Sequence, residues 1–545
     1  MLSWGCLQTS QPVSGVQADL KHQLGSRIRL WHRPTVDADD IQPLVRRFYR
    51  ERGFRPAWTD GRHPVSDAHD LVEALKQAPR EGLDLAAYSP ARMDSVMRDV
   101  DPGLLGPSPS AHALAALDLN LTRSAFEYAA HVATGQIDPA ALPVDWHVQR
   151  PKIDLVSQLE SAVNQHRVRD FLNGLPPPDP RYGRLRAALE RFRGIAASGG
   201  WAGVPQGPAL RRGQRGARVI ALRTRLVASG DLPAAAGTSQ SFDAATAAAL
   251  RRFQASHGLA QDGVVDADDL DALNVPVASR IRQIEFNMER WRWVPRDLGD
   301  RYIMVNIPGY ELQLFDGGRA AFTTRVVVGK QFSPTPMFSD AITYLVINPF
   351  WNVPVKIARE ELLAHAQQDP GMLQRTGMHV FSGEGADAHE IDPASVDWNT
   401  ITPEDLHYSF RQEPGAANPV GHVKFMCPNQ FDVYLHDTPT GHLFNASERD
   451  FSHGCVRVEH PVDLAAHLLE GVPHSSTADI EAAFASDARD SVVKLPSPVP
   501  VHLFYWTAWV DDQGNVQFRD DVYGLDHVME AALDRRGPLA VEPLR

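Results

Sequence analysis

The sequence contains little cysteine, since Cys6, Cys427 and Cys455 are the only three in 545 residues. An odd and sparse set cannot form a disulfide framework, so at least one thiol is free or pairs between molecules. The chain also lacks the run of about 18 apolar residues that a membrane-spanning helix needs. Basic residues are fewer than acidic ones, so the net charge is −13, which argues against a nucleic-acid-binding protein. These features leave a multidomain globular protein with a free thiol.

The first residues also lack the parts of a secretory signal. The segment MLSWGCLQTSQPVSG has neither a basic start nor an apolar run of sufficient length. We predict that residues 1–25 form a loose N-terminus, and the role of Cys6 stays open. If the protein acts outside the cytoplasm, its export signal is missing upstream or the start is misassigned.

The remaining chain divides into stretches of different periodicity, which together predict a multidomain α+β fold. Residues 26–204 carry apolar positions at helical spacing and no cluster of reactive groups, which predicts a helical scaffold. Gly135 and Pro139 are expected to stop its longest helix. Residues 277–545 carry alternating apolar residues and β-branched runs, which predict a β-rich domain. Within that domain, residues 356–420 start as a helix, continue as a polar stretch without sustained strands, and are predicted to form a lid.

Residues 205–276 predict a compact three-helix module. Asp243 and Asp266 are good N-caps for its second and third helices, and Gly230 ends the first. The module resembles the peptidoglycan-binding domain type 1 family at Gly213, Gly216, Val219, Leu222, Leu226, Gly230, Phe253, Gln254, Gly258, Leu259, Asp262 and Gly263. The resemblance implies glycan binding, and a purely supporting role is an equal alternative because these residues are mostly structural.

The chemistry of the chain centres on Cys455, which follows Gly454 in the segment SHGCVRV. A histidine that accepts the thiol proton, here His436 at a predicted strand end, would make Cys455 a nucleophile. A hairpin-like return of the chain could bring the two together, and Gly454 would let backbone N–H groups approach an oxyanion. Two other interpretations stay open. Cys455 could be a buried thiol, or His436, His453 and Cys455 could bind zinc, although no paired ligand motif accompanies them.

A set of motifs in the β-rich region resembles the L,D-transpeptidase (YkuD-like) catalytic domain of the large Gram-negative periplasmic branch. The matching segments are RIRQIEFNMERWRW, YIMVNIPGYELQLF, VVVGK, TPMFSDAITYLVINPFWNVP, IAREEL, KFMCPN, YLHDTP and SHGCVRV. With the helical part and the module, the resemblance extends from about residue 40 to about residue 530. It implies a cell-envelope location.

The resemblance also implies residue roles. Cys455 would be the nucleophile and His436 the proton donor and acceptor. Four residues would shape the site and its oxyanion pocket: Tyr434, Ser452, His453 and Gly454. Arg457 and Trp351 would bind substrate, and Cys427 would be a core residue whose oxidative pairing with Cys455 would abolish activity. No metal or organic cofactor is implied.

The implied reaction is 3→3 cross-linking of peptidoglycan. Cys455 would form a thioester with a donor tetrapeptide stem, release D-Ala and pass the acyl group to a diaminopimelate amine of an acceptor stem. The implied partners are the two stems, other cell-wall synthesis enzymes and carbapenem inhibitors. An L,D-carboxypeptidase or a lipoprotein-anchoring transferase would use the same chemistry. A zinc hydrolase and a non-catalytic wall-binding scaffold are the alternatives of other classes.

Overall fold

The computed structural model describes residues 13–30, 40–101, 109–144, 146–383 and 388–535. The N-terminal region is helical, as predicted. Its helices are α1 Val13–Leu30, α2 Gln42–Glu51, α3 Ser66–Lys76, α4 Leu85–Tyr88, α5 Pro90–Val100, α6 Ala111–Thr134, α7 Leu155–Asn164, α8 Val168–Asn173 and α9 Pro180–Ala197. None of the helices within these ranges combines the length and apolar character needed to cross a bilayer.

The prediction of a loose N-terminus is wrong from Val13 onward, because α1 begins there. Leu20, Leu24 and Ile28 recur at helical spacing and are buried in the scaffold core. Polar residues between them hide this stripe in the sequence. Residues 1–12, with Cys6, lie outside the described residues.

Helix α6 runs through the centre of the scaffold and carries much of its core. Ser110 caps its first turn by accepting a hydrogen bond from the Ala113 N–H at 3.1 Å. The helix ends at Thr134, and Gly135 follows with a φ of +93°. A Cβ at Gly135 would lie 2.5 Å from Trp293 Nε1, so both the backbone angle and the packing require glycine. The predicted stop at Gly135 is confirmed.

The module contains the three predicted helices. They are α10 Ala217–Ser229, α11 Ala244–His257 and α12 Ala267–Asn274. Both predicted N-caps are confirmed, since the Asp243 side chain accepts from the Thr246 N–H and Asp266 forms a capping box with Asp269. The module also contacts the β-rich region, where Arg519 donates to the Ser256 carbonyl at 3.0 Å.

The β-rich region follows α13 Val277–Trp293 and forms one large sheet and two small ones. The strands are β1 Arg301–Asn306, β2 Glu311–Asp316, β3 Arg319–Gly329, β4 Ser339–Ile347, β5 Trp351–Asn352, β6 Met378–Ser382, β7 His389–Ile391, β8 Tyr408–Gln412, β9 Val423–Met426, β10 Leu435–His436, β11 Asp450–Ser452, β12 Val456–Val458, β13 Ser491–Phe504, β14 Ala508–Val510 and β15 Val516–Phe518. The large sheet has the order β11-β3-β12-β10-β9-β4-β13-β1-β2, and β2 also pairs with β3. The strand order therefore closes on itself around an apolar core.

The predicted lid segment has more structure than the sequence indicates. Its helical part consists of α14 Val355–Ile357, a π-helical stretch Ala358–Leu362, α15 Leu363–Gln368 and α16 Gly371–Arg375. A four-stranded sheet in the order β5-β8-β6-β7 packs with these helices around Trp398. The prediction of no sustained strands is therefore wrong. We call residues 351–412 the insertion. In the described residues after the insertion, three further helices are α17 Pro461–Leu468, α18 Thr477–Phe484 and α19 Leu525–Asp534.

A buried charge network joins the scaffold to the β-rich region. Arg292 of α13, 1% exposed, donates to Glu289 at 2.7 Å, to the Tyr182 hydroxyl at 3.0 Å and to the Glu81 carbonyl. Glu289 is equally buried and accepts from the Ile137 N–H at 2.8 Å. Segments from three parts of the chain thus depend on one ion pair.

We predict that Arg292→Met lowers the free energy of unfolding by about 3–5 kcal/mol, because it leaves the Glu289 carboxylate buried without its cation. The urea midpoint and the thermal midpoint should both fall. Arg375→Met is the matched control, because Arg375 and its partner Asp369 are 64% and 54% exposed, and an exposed pair contributes about 0–1 kcal/mol. Equal midpoints for the two variants would contradict this role for the network.

Candidate active site

The candidate residues lie on three neighbouring strands of the large sheet. Strand β10 pairs in parallel with β12 and antiparallel with β9. The register aligns His436 with Arg457 on one side and with Lys424 on the other. Their sequence neighbours Leu435, Val456 and Phe425 point into the core. Since side chains alternate along a strand, the three polar residues share the opposite face as one row.

The structure brings Cys455 next to this row, although by a different route from the one expected. Cys455 directly precedes β12, where the Val456 N–H donates to the Tyr434 carbonyl at 3.1 Å. The sulfur lies 3.8 Å from the Asp432 carbonyl. The expected hairpin-like return is wrong, because β10 and β12 run parallel with a connecting segment between them. Parallel neighbours need such a crossover connection.

His436 is buried, 5% exposed, and held by its own strand end. Its Nδ1–H donates to the Asp437 carbonyl at 2.5 Å, which leaves Nε2 with the lone pair of a neutral imidazole. Burial, with smaller contributions from Arg457 and Lys424, lowers the pKa of His436 to about 3, against the opposing effect of the Asp437 carbonyl. The ring is therefore neutral at physiological pH and able to accept a proton.

The loop before Cys455 is fixed by a chain of hydrogen bonds. The Gly454 N–H donates to Ser452 Oγ at 3.1 Å, and the Ser452 hydroxyl donates to the Cys455 carbonyl at 2.6 Å. The Thr335 hydroxyl donates to the Gly454 carbonyl at 2.8 Å and accepts from the Gly329 N–H at 2.9 Å. Ser452 and Thr335 thus hold the loop from two sides.

Glycine at position 454 is required by its backbone angle, with a φ of +116°. A Cβ there would have only ordinary contact, 3.6 Å from the Pro334 carbonyl, so packing against the protein does not by itself require glycine. The Gly454 N–H is already bonded to Ser452. The Cys455 N–H, by contrast, has no acceptor within the described part of the chain, and it is the better oxyanion donor of the two.

The Cys455 thiol is half-buried and protonated at rest. Burial raises its pKa to about 11, while the Tyr434 backbone N–H, Lys424 and Arg457 act in the opposite direction. Burial also raises the pKa of the Tyr434 hydroxyl, and the neighbouring Cys455 adds to that effect. The resting pair is therefore a neutral thiol and a neutral imidazole, so deprotonation has to accompany reaction.

His453 faces away from this pair toward the insertion. Its Nε2 lies 2.6 Å from Glu361 Oε1, in the π-helical stretch, and Lys330 Nζ lies 3.4 Å from the same oxygen. The Lys330 N–H donates to the Ser452 carbonyl at 3.0 Å. Through these contacts the insertion is attached directly to the nucleophile loop.

The other predicted residues lie apart from the pair. Cys427 is 2% exposed in the core, on the sheet face opposite Cys455, so a disulfide between them would require the sheet to rearrange. Trp351 lies in β5 and packs partly buried against the insertion core. Among the residues that the structure describes, no three His, Cys, Asp or Glu side chains are placed to hold a metal ion.

Three residues that contribute to the site were not singled out in the sequence. Lys424 flanks His436, Glu361 contacts His453, and Thr335 supports the nucleophile loop. Lys424 carries a weak signal in the sequence, since it is the polar residue in the alternating run HVKFMC. The other two act through contacts distant in sequence.

Fold and site together define a multidomain protein whose closed β-sheet presents a cysteine beside a neutral histidine. Residues 300–475 match the family of the "L,D-transpeptidase catalytic domain". Residues 43–189 match a "Scaffold domain" and residues 215–273 a "Putative peptidoglycan binding domain". The chain thus contains an L,D-transpeptidase catalytic domain together with a peptidoglycan-binding module, which confirms both resemblances. The domain boundaries proposed from the sequence stay predictions.

Part of the chain is similar to known proteins. A "Putative L,D-transpeptidase" from Haemophilus influenzae is 34% identical over 251 residues, which are 46% of this chain and 49% of that protein. The chain therefore spans about half the length of this relative. An L,D-transpeptidase structure from Xylanimonas cellulosilytica aligns at 16% identity over 55% of this chain and 99% of that one, with a TM-score of 0.17. One from Mycobacterium smegmatis aligns at 12% identity over 38% and 58%, with a TM-score of 0.18.

We predict that alkylation of Cys455 by iodoacetamide accelerates with pH well beyond the usual range of a free cysteine, because burial raises the pKa of the thiol to about 11. The thiolate is the reactive form. The measurement is the rate of modification at each pH, followed by peptide mass spectrometry, with glutathione as the control. An inflection below that of glutathione would show a resting thiolate and contradict the prediction.

Proposed function

We propose that this protein is an L,D-transpeptidase that forms 3→3 peptidoglycan cross-links through a thioester on Cys455. The observation that carries the proposal is the parallel pairing of β10 with β12 within the matched catalytic domain, which supports a site where Cys455 and His436 act together from neighbouring strands. The neutral His436 can accept the thiol proton, and the Cys455 N–H can donate to an oxyanion. Cell-wall stems fit the associated peptidoglycan-binding module.

The first half-reaction would acylate the enzyme. His436 takes the proton of the Cys455 thiol as the sulfur attacks the carbonyl at the L-centre of diaminopimelate in a donor tetrapeptide stem. The bond between that carbonyl and the D-Ala nitrogen breaks, and His436 returns the proton to the departing amine. This coupling suits a resting pair in which neither group is charged.

The second half-reaction would transfer the acyl group. The side-chain amine of a second diaminopimelate attacks the thioester, loses a proton to His436 and restores the Cys455 thiol. Water would compete for the same intermediate, and a closed site limits that side reaction. The insertion is in position to do so, because Glu361 attaches it to the nucleophile loop.

The acceptor distinguishes the related candidates. Water would make the enzyme an L,D-carboxypeptidase, and a lipoprotein lysine would make it an anchoring transferase. A non-catalytic wall-binding scaffold is disfavoured by the ordered Cys455 and His436. For the three enzymatic candidates we infer a location in the periplasm or cell envelope, carbapenems as acylating inhibitors of Cys455, and other cell-wall synthesis enzymes as partners.

Two roles are candidates for the module: support of the catalytic domain and binding of peptidoglycan. Ring contacts between His257 and Phe518, 5.5 Å apart, and the Arg519–Ser256 hydrogen bond favour support of the catalytic domain. Three arginines, Arg211, Arg212 and Arg251, line a groove on its surface and favour contact with anionic stems. We propose that the module does both.

We predict that the protein converts disaccharide-tetrapeptide into a cross-linked dimer with loss of D-Ala, detected by mass spectrometry. Cys455→Ala should reduce dimer formation by about a thousandfold or more, because the intermediate requires the sulfur. Cys427→Ala is the matched control and should retain activity. Tripeptide without dimer would identify a carboxypeptidase, and dimer formation by Cys455→Ala at the wild-type rate would refute the nucleophile assignment.

We also predict unequal effects at the two histidines. His436→Ala should lower the acylation rate by about a hundredfold or more, as for loss of a general base. His453→Ala should cost less than about tenfold, because His453 Nε2 is engaged with Glu361. Intact-mass measurement of thioester formation provides both rates, and circular dichroism checks the fold. Equal losses would move the base role toward His453.

A further inference from the structure

Two cations flank His436 without a carboxylate to neutralise them. Lys424 and Arg457 occupy the same row of the sheet, one on each neighbouring strand. Neither forms an ion pair within the described residues, although Asp490 attracts Lys424 from a greater distance. Both side chains are partly buried, and burial lowers the pKa of each. The row therefore has positive charge available for a ligand.

The polar contacts of both residues are few and leave donors free. Lys424 Nζ lies 3.4 Å from the Phe350 carbonyl and 5.2 Å from the centre of the Tyr434 ring. Arg457 Nη1 donates to Thr440 Oγ1 at 3.2 Å, while its buried Nε has no partner within the described ranges. An unsatisfied guanidinium N–H carries a desolvation cost, which a bound acceptor would remove.

Both cations act on the nucleophile. Cys455 interacts electrostatically with Lys424 and with Arg457. Asp432 is the nearby acid that opposes them, and its side chain is exposed at the turn before Tyr434. A ligand anion next to the sulfur would therefore lie between two positive groups.

We propose that Lys424 and Arg457 form a carboxylate-binding site that holds an anionic group of the acyl donor beside Cys455. The ligand class is a peptide carboxylate, and its identification with the donor stem rests on the proposed function. Lys424 is the new element of this site. Arg457 supplies a planar fork and Lys424 a mobile point charge, which together can hold a carboxylate from two sides.

The site would also couple binding to chemistry. Lys424 and Arg457 disfavour the protonated form of His436, which lies between them. A bound carboxylate offsets these charges and makes His436 a stronger base in the complex than in the free enzyme. The thiol would then be deprotonated mainly when a donor is present.

The test compares two alkylating agents that differ in charge. Iodoacetate carries a carboxylate and iodoacetamide does not, so the ratio of their rates at Cys455 reports the anion preference without regard to thiolate content. The iodoacetate rate divided by the iodoacetamide rate, relative to the same quotient for glutathione, should be about ten in the wild type. Lys424→Met should lower it about fivefold, and Lys424→Arg should retain most of it. Peptide mass spectrometry restricts the measurement to Cys455.

Lys494→Met is the matched control, because Lys494 is an exposed lysine on β13 of the same sheet. Its ratio should equal that of wild type. A Lys424→Met ratio equal to the control, with the thermal midpoint preserved, would overturn the proposal. If Lys424→Met lowers the thermal midpoint and Lys424→Gln does not, the alkylation ratio of Lys424→Gln is compared with that of the control instead, and the same outcomes decide.

A peptide arm separates this proposal from the proposed function. Wild-type thioester formation is measured with the tetrapeptide stem and with its C-terminal carboxamide. If the carboxylate site is used, Lys424→Met slows the free acid more than the amide. An equal loss on both would assign Lys424 to the thiol alone and refute the site. If wild type forms no thioester, the proposed function fails, and the alkylation ratio still decides the anion site.

Discussion

The parallel pairing of β10 with β12 is the constraint on which the rest of the site depends. It places His436 opposite Arg457 and brings Cys455 to the end of the same strand pair. The register is fixed by Leu435 and Val456, which are fully buried in the sheet core. A slip by one residue would turn the apolar residues outward and the polar row of Lys424, His436 and Arg457 into the core. The packing of the core therefore fixes the relative positions of His436, Arg457 and Cys455, although none of the three belongs to the core.

Locally encoded features could be predicted from the sequence, and features that depend on distant pairing could not. The caps at Asp243 and Asp266 and the stop at Gly135 follow from rules that act within one turn. The sheet of the insertion was missed because β5 and β8 are short and far apart in sequence. Cys455 and His436 could be identified by residue type and motif. Lys424 could not, since its importance arises only from its alignment with His436 across two strands.

The electrostatics of the site suppress the reactivity of the Cys455 thiol in the free protein. Burial raises the pKa of Cys455 and lowers that of His436, so both groups are uncharged in the free protein. Two cations on the same row would stabilise a thiolate while opposing an imidazolium, which prevents a stable ion pair from forming in advance. A neutral thiol reacts slowly with oxidants and stray electrophiles. Reactivity then has to be produced by the substrate, through the charge or the contacts that it supplies.

The contact of the insertion with the nucleophile loop extends this logic to the larger structure. Glu361 binds His453 and Lys330 at once, and the Lys330 N–H in turn holds the Ser452 carbonyl. A π-helical turn, a costly backbone form that is often found at functional sites, places Glu361 there. Displacement of the insertion would break the ion pair and release one support of the loop that carries Cys455. If the insertion acts as the lid that we propose, its closure and the ordering of the Cys455 loop would be parts of one structural event.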